Sequence, residues 1–248
     1  MNFLLLYQSE IASDGVAVIT GERVVAYAEE HPLKIGDRLP LVIYGERCGE
    51  ACVKETSKDR LVVQVVARTA GPQKLPVHCI VGVCRPQTVK KVIQIAATTG
   101  VASVCFVGAE NSEKSYLQSK ALTEEQIASE IAKGLAQCGD PIPPQICVQR
   151  TFSWYLREHL APQLSKYDQW HGFVADTHFP NRATLSTSSQ LPTGKPVFVA
   201  IGPENGWASG EVASLVGLGF CPLDLGPRIL RVETALNILL GQILLLAT

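Results

Sequence analysis

The sequence predicts an α/β protein in which a small N-terminal β-barrel precedes a larger parallel-sheet domain, and three observations carry that expectation. Residues 1 to about 70 alternate short β-rich runs with turn signals, the pattern of a small barrel. Gly71-Pro72 breaks that pattern, and from about residue 74 the rhythm becomes strand then helix, the mark of a parallel sheet. The length of 248 residues suits one small domain plus one large one, here 1–70 and 71–248. Hydrophobic residues at 46% against charged residues at 18% can fill a sizeable core, which excludes disorder as the overall state.

In the first domain the strand runs are Gly15 to Gly21, Arg38 to Gly45, Glu50 to Glu55 and Arg60 to Ala67. Glu22 to His31 reads as a short helix, ended by Pro32 because the residue before proline avoids the α region. In the second domain the expected strands are Val77 to Val83, Val101 to Val107, Gln145 to Val148, Gly172 to Ala175, Val197 to Ile201 and Cys221 to Leu225. Helices are expected over Gln87 to Thr99, Thr123 to Gln137, Ser153 to Leu160 and Gly210 to Leu218, with another opening at Val232. Thr123 with Gln126 three residues on forms a capping-box pair. Ser209 is the expected cap of the later helix and Gly219 its left-handed terminator. Residues 181–194 are polar and Ser/Thr-rich and read as a surface loop.

A formal charge of −1 gives no global positive field, so a nucleic-acid partner has to be found by a local patch. Residues 1–70 hold 8 basic and 10 acidic side chains, and residues 71–248 hold 14 and 13. The start has no basic region ahead of its short apolar run and no small-residue cleavage site, so no secretory signal is expected and the protein reads as cytoplasmic. Leu236 to Thr248, at 13 residues, falls short of the about 20 needed to cross a bilayer and reads as a buried terminal helix, with no membrane partner expected. The eight cysteines are expected to stay reduced, as small core hydrophobes. Neither Cys48/Cys52 nor Cys79/Cys84 is followed by a second ligand pair, and none of the five histidines has metal-ligand spacing, so no metal is expected. His78, within an apolar run, reads as a core histidine.

The informative stretch is Pro196 to Leu240. The strand ending at Ile201 runs into Gly202-Pro-Glu-Asn-Gly206-Trp207, and the strand ending at Leu225 into Gly226-Pro-Arg-Ile-Leu-Arg231. Ligands of open α/β sheets bind outside the carboxyl ends of the strands. Two Gly-Pro turns at neighbouring strand ends therefore make a paired backbone cradle, each glycine permitting close approach to a flat ligand. The glycine patterns of a dinucleotide fold, a P-loop and a serine-hydrolase elbow are all absent.

Ile201-Gly-Pro-Glu-Asn-Gly-Trp207 followed by Leu225-Gly-Pro-Arg-Ile-Leu-Arg-Val-Glu-Thr-Ala235 resembles the RsmE family, the 16S ribosomal RNA uracil-N3 methyltransferases of the SPOUT class. The likeness spans the chain: His31 to Asp37 is similar to the family's Lys-x-Gly-Asp turn, and Glu113 to Tyr116 and Gly134 to Gln137 resemble a branch of it. The resemblance implies a PUA-like RNA-docking barrel, a trefoil-knotted SPOUT domain, S-adenosylmethionine as cofactor, a homodimer, and 16S ribosomal RNA in the small subunit as partner. Cofactor contacts are implied for Ile201, Gly202, Pro203, Glu204, Gly206, Leu225, Gly226, Ile229, Leu230, Arg231, Thr234 and Ala235. The chain departs from the family at Asn205, a mild change from Gly, at Val25, Tyr27, Glu29 and Glu30 in the barrel, and at Ile95, Thr98, Ala136 and Asp140.

Methyl transfer to uracil N3 needs in-line placement and stabilisation of the anion left as N3–H ionises. Arg231, directly before a helix, is the expected stabilising cation, with Arg228 the alternative and with Lys114 a further RNA contact. Glu233 is a candidate catalytic carboxylate or a favourable charge on the first helical turn. Thr234 offers its hydroxyl to the ligand or caps the helix. Trp207 stacks on a base or packs in the core. Two rival readings stand beside the enzyme: a non-catalytic dimeric RNA-binding or ribosome-assembly factor, and the same chemistry on another RNA.

Overall fold

The structure is a computed structural model that describes residues 2–180, 182–185 and 194–246. The chain forms two compact units, Met1–Lys74 with Ser129–Pro143, and Leu75–Ala128 with Pro144–Thr248.

The first unit is built on a mixed, curled sheet. Its strands are β1 (Leu4–Leu6), β2 (Val16–Thr20), β3 (Arg38–Ile43), β4 (Arg47–Thr56) and β5 (Arg60–Thr69), in the order β1-β3-β4-β5-β2. β1 pairs with β3 in parallel, and the remaining pairs are antiparallel. Helix α1 (Glu22–Glu30) ends where Pro32 requires. The alternating faces bury Leu6, Ile19, Leu41, Ile43 and Leu61 into one core. The family-departure residue Tyr27 is part of this core, stacked on His31 at 4.7 Å. Residues 129–143 join the unit from far along the chain: Phe3 donates to the Ala136 carbonyl at 2.9 Å and Gly45 to Pro141 at 2.8 Å. Asp140, another departure, is buried here against Lys74 at 2.8 Å.

The second unit is a six-stranded parallel sheet in the order β11-β9-β10-β6-β7-β8. The strands are β6 (Leu75–Gly82), β7 (Val101–Val107), β8 (Gln145–Gln149), β9 (His171–Ala175), β10 (Val197–Ile201) and β11 (Cys221–Leu223). The helices are α2 (Pro86–Thr99), α4 (Phe152–Tyr155), α5 (Ala161–Leu164), α6 (Ser209–Gly217) and α7 (Val232–Leu246), while α3 (Glu124–Cys138) begins in this unit and from residue 129 belongs to the first. The near-continuous apolar runs of β6 and β10 suit strands covered on both faces. A single π turn, Leu156–Leu160, joins α4 to α5, so the helix expected to stop at Leu160 runs on.

Caps refine the expectations. Gln126 N donates to Thr123 Oγ1 at 3.4 Å. Ser209 is the first helical residue and not the cap of α6; Glu211 Oε2 accepts the Ala208 amide at 3.0 Å instead. Gly219 (φ +103°) does end α6: its amide and that of Phe220 donate to Val216 and Leu215, the Schellman arrangement. β11 stops at Leu223, two residues early, because Leu225 already belongs to the loop.

The cysteine expectation is corrected at one pair. Cys105 and Cys147 lie opposite each other on β7 and β8 and are joined as a disulfide, a juxtaposition that register alone creates across 42 residues. Cys79 behaves as expected, with burial pushing its thiol up to about 12, and Cys84 is raised by burial as well. His78 is partly buried at the edge of the core, its Nδ1 2.8 Å from Ser103 Oγ and its ring stacked on Phe198. Most of the 181–194 loop lies outside the described residues. Among the described residues, no helix is long and apolar enough to cross a membrane.

Candidate functional site

The C-terminal ends of β9, β10 and β11 converge on a cavity of about 250 Å³. Its floor is apolar, with Ile201, Leu223, Leu225, Leu230, Val232 and Ala235, and backbone from both Gly-Pro loops forms its walls. Such a lining, apolar with a few placed polar groups, is that of a small-molecule site at strand ends.

The first loop is closed on itself by its glycines. A Cβ on Gly202 would sit 2.7 Å from Trp207 N and 2.9 Å from Gly206 C, so this position is glycine because the loop's own backbone occupies the space. Gly202 is thus glycine for the loop's own closure, and it also lines the cavity. Gly82 likewise admits Pro203, whose Cδ would lie 2.4 Å from an added Cβ. Gly206 (φ +72°) makes the return turn, its amide donating to Pro203 at 2.8 Å. Trp207 is then delivered to the core, 5% exposed and 5.3 Å from Phe152, which settles its role as packing and not base stacking. Glu204 Oε1 accepts the amide of Arg85, the cap residue of α2, at 2.9 Å and places its charge at that helix N-terminus.

Gly226 in the second loop is the glycine with room around it: φ is +108°, and nothing lies within 4 Å of an added Cβ. Asp224 Oδ1 accepts the Gly226 amide at 2.9 Å, and that bond, together with Arg182, holds the Asp224 carboxyl below its ordinary range. Arg228 and Ile229 follow, and Ile229 is 86% exposed.

Ten of the twelve residues expected to touch cofactor line this cavity; Arg231 and Thr234 do not, both being exposed at the opening of α7. The Arg231 carbonyl accepts the Ala235 amide at 2.8 Å, the first bond of the helix. Arg228, the alternative cation, does line the cavity. Glu233 also points elsewhere: it is ion-paired with Lys91 of α2 at 2.9 Å. Burial works to raise its pKa, but the Lys91 bond, its own backbone amide and nearby positive charge outweigh that and hold it low. Lys114 stands at a separate cleft.

The sequence reading missed Ala175, Asp176, Thr177 and His178, which form the β9 side of the cavity. Asp176 Oδ1 caps the turn by accepting the His178 amide at 2.8 Å, and Thr177 Oγ1 lies 2.9 Å from His178 Nδ1. The strand-end rule would have flagged these polar residues, since β9 lies beside β10 in the sheet.

Residues 71–244 match the RNA methyltransferase domain model. The chain is 30% identical over 160 residues to the ribosomal RNA small subunit methyltransferase E of Treponema pallidum, a stretch covering 64% of this chain and 58% of that relative. It is 24% identical over 241 residues to the protein of the same name in Bacillus subtilis, covering 94% and 91%. In fold it is similar to the ribosomal RNA small subunit methyltransferase E of Neisseria gonorrhoeae solved with S-adenosyl methionine, with a TM-score of 0.71, 18% identity and 96% of each chain covered. With the family model spanning the sheet and both loops of the cavity, the chain belongs to the RNA methyltransferase family.

Proposed function

We propose that this chain transfers a methyl group from S-adenosylmethionine to N3 of a uracil in 16S ribosomal RNA of the small subunit. The observation that carries the reading is that two Gly-Pro loops, 24 residues apart in sequence, wall one cavity although they leave β10 and β11, which are not neighbours as the sequence suggested but flank β9. The residues fit the cofactor: an apolar floor for a flat base and Gly226, whose Cβ position is open, for close approach. The carboxylates of Asp176 and Glu204 offset a sulfonium charge. When bound, the cofactor supplies an electrophilic methyl on a cationic sulfur.

The chain's own part is placement and charge. The loop at Gly202 is held to α2 through Glu204 and Arg85, so the cavity wall is preorganised. Arg228, which lines the cavity, takes precedence over Arg231 as the cation that stabilises the uracil anion. Glu233, committed to Lys91, serves as a pin between α2 and α7. The curled first unit serves as the PUA-like docking module. The order β11-β9-β10, with α7 packing on both α2 and β10, supports a knotted SPOUT arrangement. A homodimer is supported by α7 and its preceding loop, which expose Ile229, Ile238 and Leu244.

Mapping N3-methyluridine in ribosomal RNA from cells with and without the gene tests the reaction, and calorimetry tests the cofactor. Arg228→Ala should cut methylation by ~10²- to 10³-fold with cofactor affinity little changed, whereas Arg231→Ala should cut it less. The reverse ranking would return Arg231 to the catalytic position.

A further inference from the structure

A second cavity, about 700 Å³, opens at the C-terminal ends of β7 and β8 and shares no lining residue with the first. Three cations face it from three segments: Lys114 beyond β7, Arg150 directly after β8, and Arg157 in the π turn. Gly108 brings the first two segments together, since a Cβ there would lie 2.1 Å from the Arg150 carbonyl oxygen; Gly108 also accepts the Phe152 amide at 2.9 Å. The cleft is therefore built by backbone contact, not left between mobile loops.

Its charge is uncommitted. Lys91 and Arg182 of the same unit are paired with carboxylates, but Lys114, Arg150 and Arg157 are exposed and make no ion pair or side-chain hydrogen bond among the described residues. Two carboxylates also line the cleft. Glu211 is buried, and its two oxygens accept the amides of Glu110 and Ala208 at 2.9 and 3.0 Å. The lining therefore holds three cations against two carboxylates, one of which is already engaged by backbone amides. In a chain of formal charge −1, this is a local patch of the kind a polyanion needs.

The two cavities share a wall. Asn111 Nδ2 donates to the Gly206 carbonyl of the cofactor loop at 3.2 Å, while Glu110 and Ser112, on either side of it, line the cleft. Ser112 Oγ anchors its own segment by donating to the Val83 carbonyl at 2.8 Å. A strand lying along the cleft is thus one residue's width from the loop that walls the methyl donor.

We propose that Lys114, Arg150 and Arg157 grip the phosphodiester backbone of the RNA strand flanking the target nucleotide while its base enters the first cavity. This rests on the methyltransferase reading above. The grip acts on the strand whatever its sequence, so it contributes to RNA affinity and not to cofactor binding or to the chemical step.

The test uses the full chain, S-adenosylmethionine, and small ribosomal subunits from cells lacking the gene. The Arg150→Gln/Arg157→Gln double variant should raise KM for subunits about tenfold, the size of losing a few charge-assisted contacts, with kcat within about twofold. Each lost phosphate contact on a single strand removes about 0.7 from the salt slope, so the dependence of log affinity on log salt should flatten by about 1.4. Calorimetric cofactor affinity and melting temperature should hold, and Lys166→Gln, at neither cavity, should change nothing. Lys114→Gln alone should give a smaller loss of the same kind. Unchanged KM and salt slope in a wild-type-like double variant would overturn the grip while leaving the enzyme intact. A wild-type chain that neither binds nor methylates subunits would overturn both readings. Equal competition by uridine monophosphate and by a strand would mark a nucleotide site and overturn the proposal.

Discussion

Replacing Gly202 with alanine separates a loop closed on its own backbone from one opened for a ligand. The added Cβ would meet Trp207 N at 2.7 Å, Gly206 C at 2.9 Å and Gly206 Cα at 3.0 Å, where ordinary contact begins at 3.4 Å. All three are backbone atoms, so no rotamer relieves the clash and the loop must open by about 0.7 Å at its tightest point. Overpacking of this kind costs about 1–3 kcal/mol. Trp207 is 5% exposed and moves with the loop, so the core beneath it shares the damage. At roughly 2–4 °C per kcal/mol for a chain of this size, the melting temperature should fall by about 2–12 °C. If the cofactor requires the closed loop, its affinity falls by the same free energy, about 5- to 150-fold. Gly226→Ala is the contrast: no atom lies within 4 Å, so the change imposes only the left-handed strain of about 1–2 kcal/mol, confined to an exposed loop. Gly217→Ala in α6, with open space and ordinary helical backbone, should raise stability by about 0.4–1 kcal/mol. Thermal melts and cofactor titrations of the three variants decide the matter. A Gly202→Ala protein with unchanged melting temperature and affinity would refute the closed-loop account.

Two further outcomes concern titration and the α2–α7 pin. Burial lowers the pKa of His78 below its ordinary 6.5, so between the two values the unfolded chain binds a proton that the folded chain does not; melting temperature should fall as pH drops below about 6.5, and less so in His78→Gln, an equal slope in the variant counting against it. The depressed Glu233 pKa contributes stability that is present above the ordinary carboxylate value and lost as pH falls through the lowered one. With Lys91 more than half exposed, the pair is worth about 0–1 kcal/mol. Lys91→Met should therefore cost no more than that at pH 7, less as the pH falls through the lowered Glu233 pKa, and leave turnover unchanged; methylation abolished by Glu233→Gln but intact in Lys91→Met would restore Glu233 as a catalytic group.

The parallel sheet was legible because its strands are apolar on both faces and its helices carry their own start and stop residues, as at Gly219 and Thr123. The cavity was legible through two glycine-proline turns at strand ends, and ten of the twelve residues that the family resemblance implied line it. What sequence could not supply was relation across distance. β1 is three residues of leucine, too short to declare a period, and becomes a strand only by pairing with β3. Residues 129–143 read as the end of a helix and a turn, yet pack with the first unit. Asp140 and Ala136, noted as departures from the family, serve there as a buried ion-pair partner and a carbonyl acceptor for Phe3. Arg228 and Arg231 differ by less than one helical turn in sequence, and only the geometry of the loop puts one at the cavity and the other outside it.

Helix α7 shows the same limit from the other side. Its apolar run was read as buried, and Leu236, Leu239, Leu240 and Ile243 are. A helix that is apolar all round gives no stripe from which to choose a buried face, so the run could not reveal that Ile238 and Leu244 point outward. A face left apolar in one chain has no reason to resist substitution by lysine unless something covers it. Ile238→Lys should therefore leave a monomeric protein as stable as before, whereas in a protein that pairs through α7 it splits the dimer and exposes the helix beside the proposed cofactor cavity, which Val232 and Ala235 line. Sedimentation of Ile238→Lys beside its cofactor affinity reads both consequences at once, and a variant unchanged in mass and affinity would remove α7 from the interface.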